Sequence, residues 1–225
     1  MKFKDLFLII LFMINLTTTS FAQIQKYIFN VRYGSITKQA KMLVKQRNKY
    51  TEVIWTNGNN EKQISNFMGK TKLLNTKYFN PEGKEILSVI YDYNNEKINI
   101  SGMKNSVLPL KGETFESASL FYLFSYIYPT TSKGINFNLL QSKNNRMVKM
   151  YLKQIGTETI DIGGEKIQAF KYEMGLKNFL ASMFWPHKYY YWYSTDDRKF
   201  LKYQGMGPDG KNIETIELIY YSEKD

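Results

Sequence analysis

The sequence predicts an all-β fold: an antiparallel curved sheet, a half-barrel or clam with meander connections, wrapped around one buried α-helix. Three observations carry this reading. From Ile24 onward the chain is written in short segments of alternating apolar and polar residues. Turn residues interrupt them about every eight to twelve positions, the rhythm of antiparallel sandwiches and barrels. One stretch, 113–129, drops the two-residue period for a nearly continuous apolar run.

A leader precedes the sheet. Lys2 and Lys4 form a charged start, Leu6 to Leu16 is apolar, and SFA before Gln23 reads as a small-x-small cleavage site, so 1–22 is expected to be a secretory signal removed after Ala22. As a helix the apolar core would rise only about 17 Å against a hydrocarbon layer of about 30 Å, which argues against a permanent anchor. No later segment is long and apolar enough to span a bilayer, and the chain has no cysteine, hence no disulfide and no acylated lipoprotein cysteine. The remainder, 23–225, suits a single domain with a core of its own. Its expected address is the periplasm, or beyond it by secretion.

The strands follow in order. The first are 27–33 (YIFNVRY), 39–46 (QAKMLVKQ), 50–56 (YTEVIWT), 62–69 (KQISNFMG), 72–79 (KLLNTKYF), 85–93 (EILSVIYDY) and 97–102 (KINISG). Asn57-Gly58-Asn59, Pro81-Glu82-Gly83 and Asn94-Asn95 supply the reversals between them. Next comes the apolar stretch, with Thr114 as a reasonable N-cap, Glu116 in the first turn where the helix dipole favours an acid, and Pro129 as the stop. This predicts a helix of about four turns over 114–128, apolar on nearly every side and therefore buried. The second strand set is 134–141 (GINFNLLQ), 147–154 (MVKMYLKQ), 166–174 (KIQAFKYEM), 189–194 (YYYWYS), 199–206 (KFLKYQGM) and 212–222 (NIETIELIYYS), with turns at Gly163-Gly164, Asp196-Asp197 and Pro208-Asp209-Gly210. Hairpin connections predict that neighbours pair in order. The units 80–93 and 207–221 share Pro-acid-Gly-Lys before an alternating strand, a repeat of one hairpin type.

Several chemistries are excluded by residue count and spacing. His187 is the sole histidine, there is no Gly-x-Ser-x-Gly elbow, and no cysteine can act as nucleophile, so triad hydrolysis is ruled out in its usual forms. A zinc site built from histidine and cysteine cannot be assembled from one such ligand. Asp92 to Glu96 lacks the central glycine of a calcium loop and reads as a hairpin. Gly69-Lys70-Thr71 ends like a phosphate-binding loop, but Ile64 stands where its first glycine belongs. Asp196 and Asp197 are adjacent in a turn and diverge rather than face a substrate. The chain is expected to be no enzyme, to need no cofactor and no metal, and to bind no nucleic acid.

The formal charge of +11 falls by one, to +10, when Lys2, Lys4 and Asp5 leave with the signal. Such an excess favours anionic surfaces. The competing reading is a set of solvated lysines scattered over strand faces.

What remains is an aromatic interior. Tyr189, Tyr191 and Tyr193 point to one strand face while Tyr190 and Trp192 point to the other. The inner face should meet the helix, which makes Phe121, Phe124 and Ile127 together with Tyr189, Tyr191 and Tyr193 the candidate ligand-binding residues. A second candidate is the link 176–186 (LKNFLASMFWP), whose Phe179, Met183, Phe184 and Trp185 form either a lid or contact loop or part of the core.

YGSITKQAKMLVK, then ESASLFYLFSYIYP, then IGTETIDIGGEKIQAFKYEM and YYYWYSTDDRKFLKYQGMGPDGKNIETIEL make a familiar order. It resembles uncharacterised periplasmic proteins of unknown function related to the lipoprotein-carrier (LolA-like) half-barrels, with the turn Trp192-Tyr193-Ser194-Thr195-Asp196-Asp197-Arg198 matching their look. The resemblance implies a sheet curved around a helix over a hydrophobic concavity and brings no catalytic set. The leading expectation is a non-enzymatic carrier of a hydrophobic or lipidic envelope molecule. The alternative is a structural or interaction module docking onto another cell-envelope protein.

Overall fold

The computed structural model describes residues 23–102, 105–129, 133–178, 187–207 and 210–224. Among these, fifteen strands form one curved, unclosed sheet in which successive strands are neighbours except β8 and β9, which stand at opposite edges. The first half comprises β1 (Gln23–Tyr33), β2 (Ile36–Arg47), β3 (Tyr50–Thr56), β4 (Lys62–Met68), β5 (Lys72–Phe79), β6 (Glu85–Asp92), β7 (Lys97–Gly102) and β8 (Ser106–Pro109). The second comprises β9 (Thr114–Glu116), β10 (Ile135–Gln141), β11 (Arg146–Ile162), β12 (Glu165–Leu176), β13 (Tyr189–Ser194), β14 (Phe200–Met206) and β15 (Ile213–Lys224). β15 returns to pair antiparallel with β1 and so joins the halves, Ile28 opposite Tyr220. The expected meander is present, with one parallel pair, β9 beside β10.

Alternation selects the inward residues. Tyr27 and Phe29 on β1, Met42 and Val44 on β2, and Leu87, Val89 and Tyr91 on β6 are buried, while their sequence neighbours on β1 and β2 are half-buried or exposed. On β5 a bulge at Leu74 resets the phase, so that Leu73, Thr76 and Tyr78 all face in. One backbone bond recurs in the reversals after β5 and after β14. Gly83 N–H donates to Asn80 O and Gly210 N–H to Gly207 O, both at 3.0 Å, with φ of +81° and +65° at the glycines.

The predicted helix is shorter than its apolar run, and its first residues are not helical. Thr114, Phe115 and Glu116 form β9, opposite Asn138, Leu139 and Leu140. A 3₁₀ turn over Ser117–Ser119 leads into a single α-helical turn, α1 (Leu120–Leu123), after which the chain runs on as turns. The reason lies in the partners. Asn138 N–H donates to Glu113 O at 2.8 Å, and the Thr114 hydroxyl bonds back to Lys111 O rather than capping a helix. A strand edge was open beside β10, and pairing it satisfied more backbone than an isolated first turn would. The position of α1 is as expected: Leu120, Tyr122 and Leu123 are buried inside the curve. The Tyr193 hydroxyl bonds to two of its carbonyls, 3.1 Å from Phe121 O and 3.3 Å from Leu120 O, which also accepts from Phe124 N–H.

Side chains span the gap that the sheet leaves. Ser106 Oγ on β8 donates to Asn145 Oδ1 beyond β10 at 2.9 Å, and Tyr78 of β5 reaches Glu116 of β9. Arg198, in the turn after β13 with φ of +58°, lies 4.0 Å from the rings of both Tyr128 and Phe170 and donates to the Tyr172 hydroxyl at 2.6 Å. That contact ties the segment behind α1 to β12.

Candidate functional site

Three adjoining hollows open along the sheet, two of them walled in part by α1. The largest, about 650 Å³, is walled by Leu139 of β10, Val148 and Met150 of β11, Met174 and Leu176 of β12, Tyr189 and Tyr191 of β13, Tyr203 of β14, and Leu120 and Phe121 of α1. A second, of about 450 Å³, runs between Val31, Ala40, Trp55 and Ile216. Phe121 and Glu214 stand in the walls of both. A third, of about 390 Å³, is mixed: Asn57, Glu61, Lys62, Gln63, Glu116, Ser142 and Lys143 line it beside Trp55, Tyr78, Phe79 and Ile86, and it shares Ser117 and Gln141 with the largest.

The walls follow from strand parity. Tyr189 and Tyr191 are two apart on β13 and face in, while Tyr190 and Trp192 face out toward Lys171, 5.4 and 4.9 Å from the ring centres. Register sets Tyr203 opposite Tyr191, their rings 5.2 Å apart. Tyr189 stacks over Tyr203 at 6.5 Å and 14°. Gly205 makes room for this pair, because a Cβ there would come within 2.5 Å of Tyr189 Cδ1. Phe121 sits at the hub, 4.9 Å from Phe200, 5.0 Å from Trp55 and 5.5 Å from Tyr203.

Of the residues singled out in the sequence, Phe121, Tyr189 and Tyr191 are in the wall of the largest hollow. Phe124 and Tyr193 are buried core, 1% and 0% exposed, and Ile127 is half-buried against that core. Phe179, Met183, Phe184 and Trp185 lie outside the described residues. Met150, Met174, Trp55 and Tyr203 went unnamed as lining. Only the register of distant strands brings Met150, Met174 and Tyr203 around one space and Trp55 into the wall of the second. Glu116 was hidden by the helix reading.

Three glutamates show how differently this scaffold treats a carboxyl. Glu116 is 1% exposed; its Oε1 accepts from Tyr78 at 2.5 Å and from Ser142 Oγ at 2.8 Å, and its Oε2 has no partner among the described residues. Burial pushes its pKa up to about 7, against the opposing pull of the Tyr78 and Ser142 bonds and of Lys143. Glu214, between two hollows, is also raised by burial. Glu173, on the outer side of β12, is likewise pushed up by burial, but Lys188 at 2.9 Å, Tyr151 at 2.8 Å and Lys153 at 3.2 Å outweigh that and hold it below the usual range. No group of three or more metal-ligating side chains occurs among the described residues, and no helix there is long and apolar enough to cross a membrane.

No protein-family model and no curated protein matches the sequence. Among solved structures the chain is similar to the hypothetical lipoprotein YmcC from Escherichia coli, at 12% identity over 86% of each chain and a TM-score of 0.41. It is similar to a chain of the Pseudomonas aeruginosa MucA/MucB complex at 9% identity and a TM-score of 0.39, over 90% of this chain and 52% of that one. A LolA superfamily protein from Nitrosomonas europaea matches at 9% identity and a TM-score of 0.26, over 91% of this chain and 86% of that one.

Proposed function

We propose that this protein is a non-enzymatic binding or carrier protein of the periplasm, exported by the leader 1–22, whose domain 23–225 takes a hydrophobic or lipidic envelope molecule into the largest hollow. The observation that carries the reading is that space itself: about 650 Å³ between α1 and β10–β14, with Leu139, Val148, Met150, Met174 and Leu176 as an aliphatic wall and Phe121, Tyr189, Tyr191 and Tyr203 as an aromatic one. Ligand sites are commonly of about 300–1,000 Å³, largely apolar with a few polar points. Methionines in the wall suit a flexible tail, since their side chains adapt to irregular shapes. A sixteen-carbon chain taken wholly out of water gains about 13 kcal/mol at about 0.8 per methylene. Association costs of at least about 4 kcal/mol leave no more than about 9, a Kd near micromolar.

The test is native mass spectrometry of the protein expressed into a bacterial periplasm and purified without detergent, with organic extraction of whatever accompanies it. A stoichiometric adduct of lipid mass is the expected result. A bare mass, with added lipids also refused, overturns the carrier reading in favour of an interaction module.

A further inference from the structure

Glu116 carries a feature that its role in the fold leaves over. One carboxyl oxygen joins β9 to β5 and to the turn after β10 through Tyr78 and Ser142. The other, equally enclosed, meets no donor among the described residues. A buried acceptor without a partner is costly, and a glutamine could accept the same two bonds without burying a charge. The side chain stands in the wall of the third, mixed hollow, which adjoins the largest across Ser117 and Gln141. Lys62 and Lys143 stand in the same wall, Lys143 Nζ 5.7 Å from the Tyr78 ring centre.

We propose that Glu116 is the receptor for a hydrogen-bond donor, an ammonium or a hydroxyl, on the head group of the amphiphile whose tail occupies the apolar hollow. The proposal rests on the carrier reading and adds a head-group class to it. In its ionised form the carboxyl only accepts, so its open oxygen then selects a donor. A quaternary ammonium offers none. Lys62 and Lys143 suit an anionic group beside that donor, as in a phosphodiester whose far end carries an amine or a hydroxyl.

The experiment is displacement of an apolar fluorescent dye from the purified protein by three dioleoyl lipids, phosphatidylethanolamine, phosphatidylglycerol and phosphatidylcholine, presented in the same neutral micelles. Phosphatidylethanolamine is expected to displace the dye at a concentration at least about tenfold lower than phosphatidylcholine, the effect of one charge-assisted hydrogen bond. In a folded Glu116→Gln variant the gap should close to within about twofold. Phosphatidylglycerol matching phosphatidylethanolamine assigns the hydroxyl as an accepted donor; matching phosphatidylcholine, it restricts the site to ammonium. Dye binding with phosphatidylethanolamine and phosphatidylcholine equal overturns the head-group proposal alone. Neither dye nor lipid bound overturns the carrier reading and this proposal with it. The wild-type comparison decides the matter even where Glu116→Gln does not fold.

Discussion

Replacing Glu116 by glutamine keeps the shape of the side chain and removes its charge, which makes the burial of that charge measurable. In the folded chain the carboxyl titrates near pH 7 against an ordinary 4.5, because burial disfavours the ionised form more than Tyr78, Ser142 and Lys143 favour it. Between those values the folded chain holds a proton that the unfolded chain has released. Stability from this group is therefore whole below about pH 4.5 and is lost as the pH rises through 7. A separation of that size corresponds to about 3 kcal/mol. The groups facing the carboxyl are Tyr78 on β5, Tyr91 on β6, and Ser142 and Lys143 in the turn after β10. Burial raises both tyrosines, so neither ionises in this range. Urea unfolding of wild type and Glu116→Gln in parallel from pH 4 to pH 8 isolates the term, since every other titrating group cancels in the difference. The variant's stability relative to wild type should climb by about 3 kcal/mol between pH 4.5 and 7 and then level off. A difference that stays flat across the range, or falls with pH, would refute the reasoning.

Glu173→Gln should behave in the opposite sense: a loss of about 1–3 kcal/mol at neutral pH, read by urea unfolding, that disappears as the pH falls through the carboxylate range, because Lys188, Tyr151 and Lys153 hold that group ionised. Arg198→Ala removes a guanidinium stacked against Tyr128 and Phe170 and bonded to Tyr172, and should cost about 2 kcal/mol in the same assay. Gly205→Ala drives a methyl into the Tyr189–Tyr203 pair and is expected to cost about 1–3 kcal/mol while weakening dye uptake. Phe124→Ala should cost about 3–5 kcal/mol as a core deletion. Phe121→Asp, at the junction of two hollows, should abolish saturable dye binding, and unaltered uptake by a folded Phe121→Asp protein would remove Phe121 from the site.

Fold class was legible because parity is a local property. Tyr27 and Phe29, or Met42 and Val44, declare an inward face within a single segment, and Asn80 to Gly83 declares a reversal, so the sheet and its meander order could be read without knowing any distant contact. The inward and outward sides of 189–194 were legible for the same reason. The helix was misjudged in length because apolar composition does not distinguish a helix buried on all sides from a short turn flanked by a buried edge strand. The parallel partner of Thr114–Glu116 lies more than twenty residues onward, at Asn138–Leu140, and nothing local points to it.

The site divides along the same line. The sequence by itself determined that large aromatic and aliphatic residues would face inward, and that one histidine and no cysteine are present. Tertiary structure decided which of those residues leave a space and which fill one. Phe121 and Tyr191 border the hollow while Phe124 and Tyr193 are packed solid, a difference set by strand register and by where α1 stops. It also decided the state of the carboxyls. Glu116 and Glu173 are both buried glutamates, and the donors around Glu173, namely Lys188, Tyr151 and Lys153, drive their titrations apart, because desolvation and Coulomb attraction depend on neighbours that the chain supplies from β5, β11 and beyond.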